Sequence, residues 1–319
     1  MTLHAIVAAL GGDLYAAGSR ASIPAPGHSA ADRSVSLWLT DGRVVIHGFG
    51  GADWRAARDD LRARGFLDAA GRLTGGGRGL PSSPRPDRRL RVATALRLWS
   101  GTTAPAACGP AGVYVRRRAV VGGAGVSNLR LHPAAPTAVY RGGGRTRPAL
   151  VARISDADDR LTAVELTYLD PNGLPATGLR LGRKTVGQVP PGAAVRLSPA
   201  AREMLVGEGV VTTLSAMDRF HLPGWALMAA NNLAAWTPPA GVRRVLIAAD
   251  RGAAGEAAAA KLRRRLVRQG LDVRVTWPEP PFGDWNEVAV AAASQRGEGG
   301  RRGAPERRGW PRRPAGEIS

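Results

Sequence analysis

The C-terminal part of the chain alternates short apolar runs with longer segments of helical periodicity. The apolar runs have the length of buried strands and are Met204–Gly207, Val242–Ala249 and Val273–Trp277. Between them, Val211–Phe220 and Ala254–Gln269 place apolar residues at the three- and four-residue spacing of a helix face. Because strands that alternate with helices pair in parallel, the pattern predicts a doubly wound, Rossmann-like parallel sheet over residues 198–292.

The first 70 residues carry a different pattern, that of a small α+β domain. Ser36–Leu39 and Val44–His47 flank the dipeptide Asp41-Gly42, which is a strong hairpin signal. A helix is predicted from Asp53 to Gly65, because an aspartate can cap its start and a glycine can close its end.

Two segments have few apolar residues: one follows the N-terminal domain, and the other ends the chain. Residues 71–91 predict a flexible basic linker and residues 293–319 a disordered basic tail. Between them, residues 92–197 predict a mixed α/β unit with a helix from Val92 to Ser100 and a strand at Leu161–Leu169 that leads into a turn. The fold class is therefore α/β: a parallel-sheet domain preceded by a mixed α/β subdomain and the small α+β domain.

The net charge points to a polyanionic partner. The chain has 45 lysines and arginines against 25 aspartates and glutamates, a formal charge of +20. Such an excess is typical of proteins that bind nucleic acid. The single cysteine, Cys108, excludes a disulfide framework and a cysteine-based zinc site. No segment offers about 18 consecutive apolar residues, so we expect no membrane partner and a cytoplasmic location.

Acidic residues follow the three apolar runs. Glu208 stands between two glycines after the first run, Asp250 ends the second, and Asp284 follows the third. Singly, each has an ordinary explanation, since such a glutamate is commonly a turn residue and such an aspartate commonly caps the next helix. Together at the carboxyl edge of one parallel sheet, where α/β folds bind ligands, they predict a divalent-metal site for phosphate chemistry.

This arrangement resembles the Toprim domain of primases and topoisomerases. Glu208-Gly209 matches the glutamate and glycine that end the family's first strand. Asp250 matches the first residue of its Asp-x-Asp element, but Gly252 stands where the second aspartate belongs. Gly255 matches the small residue that follows, and Asp284-Trp285-Asn286-Glu287 resembles an Asp-Phe-Asn-Asp element. The whole chain is similar to Toprim proteins of the phage and plasmid primase type.

The resemblance implies an enzyme that synthesises RNA primers on single-stranded DNA by nucleotidyl transfer, with Mg²⁺ or Mn²⁺ as cofactor. Glu208 and Asp250 would be catalytic and, with Asp284, would hold the metal, while Glu256 or Asp284 could substitute in part for the aspartate lost at Gly252. Nucleotides and single-stranded DNA are the implied partners, and a helicase would be a separate protein, since the chain carries no phosphate-loop motif. The alternatives are a nucleic-acid-binding Toprim protein without catalysis and, ranked below it, a metal-dependent nuclease.

The N-terminal domain resembles the zinc-binding module that precedes many primase cores, but without its ligands. Three places that hold cysteine in the family are occupied by Ile23, Gly48 and Ala52. His28 and His47 are too few for a tetrahedral zinc site, so we expect no zinc. The aromatic residues expected to pack into a metal-free core instead are Trp38, Phe49 and Trp54.

Two basic clusters lie in the middle unit. They are Arg116, Arg117 and Arg118, and then Arg180, Arg183 and Lys184. The corresponding part of a primase contributes a basic surface for template and nucleotides, so the resemblance implies that these residues bind the nucleic-acid backbone. Arginine suits that role because it can hold a phosphate with two hydrogen bonds. The plainer alternative is that each cluster is a solvated face of the protein.

Overall fold

A computed structural model describes residues 2–29, 32–49, 52–74, 86–140, 144–179 and 181–298. The chain divides into two compact units, Met1–Arg85 and Pro86–Ser319. Within the described residues, none of the helices has the length and apolar content that a bilayer crossing requires.

The first unit contains a four-stranded antiparallel sheet and two helices. Its elements are α1 (Leu3–Leu10), β1 (Asp13–Tyr15), β2 (Arg20–Ile23), β3 (Val35–Thr40), β4 (Arg43–Gly48) and α2 (Trp54–Ala63). The strands lie in the order β1-β2-β3-β4. The predicted hairpin is β3 and β4, and the predicted helix is α2, which Asp53 caps by accepting a hydrogen bond from the Arg55 N–H at 2.8 Å. Both predictions are confirmed.

The core of the first unit is aliphatic, and the prediction that three aromatic side chains build it is wrong. The largest side chains in that core include Leu3, Ile6, Ile23, Leu37 and Leu61. Trp38 follows Leu37 on β3 and therefore points to the opposite face of the sheet, where the Arg20 guanidinium lies 5.3 Å from its ring. Phe49 and Trp54 are 54% and 40% exposed.

The second unit begins with an antiparallel sheet. Its elements are α3 (Arg88–Ser100), α4 (Pro110–Arg117), β5 (Leu129–Pro136), β6 (Thr146–Ser155), β7 (Leu161–Tyr168) and β8 (Arg183–Gly187), with the strands in the order β5-β6-β7-β8. The predicted strand is β7, and the predicted turn follows it, with the side chain of Asp170 accepting hydrogen bonds from the Asn172 and Leu174 N–H groups. α3 covers one face of this sheet, where Leu98 packs with Leu166.

The ends of the predicted linker differ from those in the structure. α3 begins at Arg88 rather than Val92, because Asp87 caps its N-terminus. At the other end, Arg72 and Leu73 form β-bridges within the first unit. The remainder of the predicted linker, residues 75–85, lies outside the described residues.

The rest of the second unit forms the predicted parallel sheet. Its elements are β9 (Val195–Arg196), β10 (Glu203–Gly207), α5 (Val210–Phe220), β11 (Gly224–Ala226), α6 (Ala230–Ala235), β12 (Arg244–Ala248), α7 (Ala253–Arg268), β13 (Asp272–Thr276) and α8 (Trp285–Glu298). The strand order is β13-β12-β10-β11-β9, with all pairs parallel except the edge strand β9. The predicted fold class is confirmed. α8 occupies residues 293–298 of the predicted tail, and residues 299–319 lie outside the described residues.

The two sheets of the second unit share a hydrophobic core. Leu150 and Ile154 of β6 pack in one cluster with Val210 and Leu214 of α5. The edge strand β9, which the sequence placed in the middle unit, pairs with β11 of the parallel sheet. The middle segment is therefore packed directly against the helix that follows Glu208, which fixes its position relative to the carboxyl edge of the parallel sheet.

Candidate active site

Two neighbouring strands of the parallel sheet end beside each other at its carboxyl edge. β10 and β12 pair so that Gly207 lies opposite Ala248. The chain leaves β10 towards β11 on one side and leaves β12 towards β13 on the other. Such a change of direction opens a crevice at the carboxyl ends of the strands, where α/β proteins bind ligands. Glu208 and Asp250 follow these two strand ends by one and two residues.

The carboxylate of Glu208 is held at the start of α6. It accepts a hydrogen bond from the backbone N–H of Ala230, the first residue of that helix. The backbone carbonyl of Glu208 accepts another from the Met228 N–H at 2.7 Å, and Met228 has a φ of 68°, a left-handed conformation that is uncommon outside glycine. Burial raises the pKa of the Glu208 carboxyl, and the Ala230 N–H offsets part of that rise. Backbone strain and a perturbed pKa are typical of functional sites.

Asp250 is the electrostatic centre of the edge. The pKa of its carboxyl is raised to about 7, first by burial and then by the negative charges of Glu208, Asp284 and Glu287, in that order of importance. Its Oδ1 atom is buried and has no hydrogen-bond partner among the described residues. The structure thus brings Glu208 and Asp284 within electrostatic range of Asp250. A proton or a cation at Asp250 would relieve both the repulsion and the unsatisfied oxygen.

Asp284 and Glu287 cap the helix that carries the third acidic motif. The Glu287 N–H donates to Asp284 Oδ1 at 2.8 Å, and the Gly283 N–H donates to Glu287 Oε2 at 2.7 Å. This reciprocal capping holds both carboxylates in the first turn of α8. Glu287 was not among the predicted site residues. The aspartate-x-x-glutamate spacing was the available signal, because it places both side chains in one turn of a helix.

Gly252 has a conformation that other residues rarely adopt. Its φ of 126° and ψ of 149° lie in a region open essentially to glycine alone. Its N–H donates to Glu256 Oε1 at 3.2 Å. Glu256 is therefore engaged in capping α7, and the additional charge that acts on Asp250 comes from Glu287. An aspartate at position 252 would rarely adopt this backbone conformation.

Gly255 allows α7 to approach Asp250 closely. A Cβ atom at this position would lie 2.9 Å from the backbone oxygen of Asp250, which is closer than real Cβ contacts. A larger residue would force α7 or the Asp250 backbone to move. Close packing against the Asp250 backbone therefore explains why the motif has a small residue at this position.

The oxygen ligands at this edge fit a hard divalent cation better than a soft one. Among the described residues, no three His, Cys, Asp or Glu side chains lie close enough together to form a complete metal cage. Mg²⁺ does not need one, because it is usually bound through one or two carboxylates and completes its shell with water and phosphate oxygens. Glu208 and Asp250, with the unsatisfied Oδ1, are the residues that would hold it.

The two histidines considered as zinc ligands, His28 and His47, have local partners. His28 Nδ1 lies 3.0 Å from Asp32 Oδ2, and the His47 ring packs edge-on against Phe49 with the ring centroids 4.5 Å apart.

The predicted nucleic-acid-binding residues have unequal surroundings. Arg116 and Arg117 are exposed at the end of α4, and the Arg116 guanidinium donates to the Ala107 carbonyl. On β8, Arg183 is 52% exposed with its Nε 3.9 Å from Glu165, and the Lys184 ammonium donates to the Thr137 carbonyl at 2.7 Å. Arg180 lies outside the described residues.

Arg118 connects its cluster to the acidic edge. Its backbone carbonyl accepts a hydrogen bond from Asn286 Nδ2 at 2.6 Å, and Asn286 lies between Asp284 and Glu287 in sequence. Residues 86–197, which contain this cluster, hold seventeen arginines and lysines against six aspartates and glutamates. Most of the excess positive charge is therefore concentrated in the segment that packs beside the acidic edge.

Comparison with known proteins identifies two segments. The family model described as the Toprim domain matches residues 203–295, which contain all four acidic residues of the edge. A second model, described as a domain of unknown function (DUF7146), matches residues 89–197. No curated protein matches the chain. Residues 203–295 are a Toprim domain, as the motifs predicted.

Two solved structures have a low overall similarity to the chain. The primase fragment of the bacteriophage T7 primase-helicase protein is 17% identical, with 87% of this chain and 97% of that chain covered, at a TM-score of 0.38. The primase of Aquifex aeolicus (zinc-binding and RNA polymerase domains) is 13% identical, with 92% of this chain and 81% of that chain covered, at a TM-score of 0.43.

Proposed function

We propose that this protein is a primase-like nucleotidyltransferase that joins ribonucleotides into a primer on single-stranded DNA in the presence of Mg²⁺ or Mn²⁺. The observation that supports this most is the state of Asp250. Its carboxyl has a pKa of about 7, a buried oxygen that no described residue hydrogen-bonds, and three further carboxylates acting on it. A site built only for stability would avoid this arrangement, because each of its features costs free energy.

The roles of the acidic residues follow from their surroundings. Bound Mg²⁺ would neutralise phosphate charge and favour deprotonation of the attacking hydroxyl. Asp250 would bind the cation through its unsatisfied Oδ1, and Glu208 would bind it or accept the hydroxyl proton on a carboxylate whose pKa is raised by burial. Asp284 and Glu287, fixed by their capping hydrogen bonds, would add negative potential and strengthen cation binding.

The nucleic-acid side of the proposal rests on charge. Arg116 and Arg117 are exposed in a segment with a large excess of arginine, and Arg118 is tied to the acidic edge. Guanidinium groups in such a position hold the phosphate backbone without reading the bases. Single-stranded DNA and nucleotides are the partners we propose, with a separate helicase to open the duplex.

A second candidate is a Toprim protein that binds nucleic acid without catalysis. It is favoured by Gly252, which occupies the place of the motif's second aspartate in a backbone conformation that aspartate rarely adopts. It is also favoured because, among the described residues, no three possible ligand side chains lie close enough together to hold a metal ion. This candidate also predicts DNA binding that weakens steeply with salt, but it requires no metal.

Primer synthesis on a single-stranded DNA template separates these candidates. The full-length protein is supplied with ribonucleotides, with and without Mg²⁺. The proposal predicts new RNA products that require both the metal and the template. DNA binding without any product supports the non-catalytic candidate, and metal-dependent shortening of the template indicates a nuclease.

The first unit offers a second contact for single-stranded nucleic acid. A cavity of about 330 Å³ is lined in part by Val45, Trp54 and Arg58. The guanidinium groups of Arg55 and Arg58 lie 4.9 and 5.4 Å from the Trp54 ring. An exposed aromatic ring with two cations nearby suits a base that stacks while its phosphates pair with arginine.

Trp54→Ala should therefore weaken the binding of a single-stranded oligonucleotide. Loss of one stacking contact is worth about 1–3 kcal/mol, or roughly 5- to 150-fold in Kd. Fluorescence anisotropy at fixed salt measures the change. Phe49→Ala is the matched control, because Phe49 is exposed in the same unit but packs on His47. Equal affinities for Trp54→Ala and wild type would contradict a stacking role.

A further inference from the structure

The side chain of Asn286 joins three segments of the second unit. It is 1% exposed, and its Nδ2 group donates to the Arg118 carbonyl at 2.6 Å and to Ser215 Oγ on α5 at 2.9 Å. Asn286 itself lies in the first turn of α8, between the capping residues Asp284 and Glu287. One amide group therefore connects the turn that carries two site carboxylates to the backbone of the arginine cluster.

A second contact holds the same stretch of chain a few residues further on. Asp218 of α5 accepts hydrogen bonds from the Val121 N–H at 2.8 Å and the Gly122 N–H at 3.3 Å. The basic segment, which we define as residues 116–122, is thus held at Arg118 by α8 and at its end by α5. Both contacts come from helices of the Toprim domain.

The basic segment has little regular structure of its own beyond α4, which ends at Arg117. Ala119 has a φ of 54°, and Val121 is 87% exposed. Val120 is the one residue of the basic segment whose side chain belongs to the buried hydrophobic core, so the segment is held by that single apolar contact and by its hydrogen bonds. Without the hydrogen bonds to Asn286 and Asp218, the arginines would keep their charge but lose a fixed distance to the carboxylates.

We propose that Asn286 is a positioning residue that sets the arginines of the basic segment at a fixed place relative to the carboxylates of Glu208 and Asp250. The inference rests on the proposed function. A backbone phosphate held by Arg116 and Arg117 then arrives at the acidic edge in one orientation. Asn286 touches neither substrate nor cation, and it acts through the Arg118 backbone. A misplacement of about 1 Å in such an arrangement can lower a rate about 100-fold.

Four variants of the full-length protein test this role. Asn286→Ala removes both hydrogen bonds, whereas Ser215→Ala removes only the one to α5 and leaves the Arg118 contact. Asp218→Ala releases the other end of the basic segment at an exposed site. Asn128→Ala is the matched control, because its amide also donates to an arginine backbone carbonyl, that of Arg196, at 2.8 Å.

The readouts are the kinetics of primer synthesis, oligonucleotide affinity and amide hydrogen exchange. We expect Asn286→Ala and Asp218→Ala to lower kcat about 10- to 100-fold, with the KM for nucleotides changed less than threefold. Exchange at the amides of residues 118–122 should rise at least about tenfold in Asn286→Ala. Ser215→Ala and Asn128→Ala should stay within about twofold of wild type in kcat. If Asn286→Ala fails to fold, Asp218→Ala gives the same comparison.

The results separate this proposal from the proposed function. If wild-type protein makes no primer, yet Asn286→Ala loosens the basic segment and weakens oligonucleotide binding more than Asn128→Ala, the positioning role stands and nucleotidyl transfer is wrong. If primer synthesis depends on Mg²⁺ but Asn286→Ala and Asp218→Ala match Asn128→Ala in kcat and exchange, the positioning role is overturned.

Discussion

Asp250→Asn and, separately, Glu208→Gln should each lower Mg²⁺-dependent primer synthesis by about 100- to 1,000-fold. Each substitution keeps the shape of the side chain and removes a negative charge and a metal-binding oxygen. Asp250 has the buried Oδ1 that lacks a partner in the described part of the chain, and Glu208 is fixed by the Ala230 N–H, so neither is easily replaced by a neighbour. Initial rates of primer synthesis at saturating template measure the loss.

The matched controls lie at the opposite edge of the same sheet. Glu203 begins β10 and pairs with Arg244 at 2.6 Å, and the exposed Asp272 begins β13. Glu203→Gln and Asp272→Asn carry the same chemical changes away from the carboxyl edge, and both should retain activity within a few-fold of wild type. Equal activity in all four variants and wild type would show that these carboxylates do not catalyse the reaction.

Asp250→Asn should also make the protein more stable at neutral and alkaline pH. The pKa of this carboxyl is about 7 in the folded protein against 3.8 for an ordinary aspartate, so the charged form is disfavoured by folding. Well below pH 4 the carboxyl is protonated in both states and costs nothing. The penalty grows as the pH rises from about 4 to 7 and is constant above 7. Removing it should gain about 1–3 kcal/mol at pH 8 and almost nothing at pH 4.

Thermal unfolding of wild type and Asp250→Asn across this pH range measures the difference. Mg²⁺ should stabilise wild type at pH 8 and have a smaller effect on the variant, because a ligand that binds only the folded state raises its stability. Asp272→Asn should lack the pH-dependent gain. A variant that is no more stable than wild type at pH 8, or one equally stabilised at pH 4, would contradict the electrostatic account of Asp250.

Local patterns predicted most of the regular elements. The apolar runs and helical spacings identified β10, β12, β13, α5 and α7, because buried parallel strands and amphipathic helices leave distinct periodicities. Their boundaries were less certain where capping decides them, as at Arg88. The shared core of the two sheets in the second unit was not predicted. Its contacts join β6 to α5 across some sixty residues of sequence, and no local pattern records such a pairing.

The site was predicted in part, and the missing features have physical causes. Strand-end position was enough to suggest that Glu208 and Asp250 lie together, since neighbouring parallel strands end at one edge. The effect of the Glu287 charge on the pKa of Asp250 depends on the direction of α8, which cannot be read from the sequence. The conformation of Gly252 and the contact of Asn286 with Arg118 arise only in the folded chain.

The most direct measurement is the binding of Mn²⁺ to the full-length protein, followed by electron paramagnetic resonance at pH 8 without nucleotides or DNA. Wild type should bind one Mn²⁺ ion. Glu208→Gln and Asp250→Asn should each weaken that binding at least about tenfold, a difference of about 1.4 kcal/mol, while Glu203→Gln should bind as wild type does. If both site variants bind Mn²⁺ as tightly as wild type, the two strand-end carboxylates do not hold a common cation.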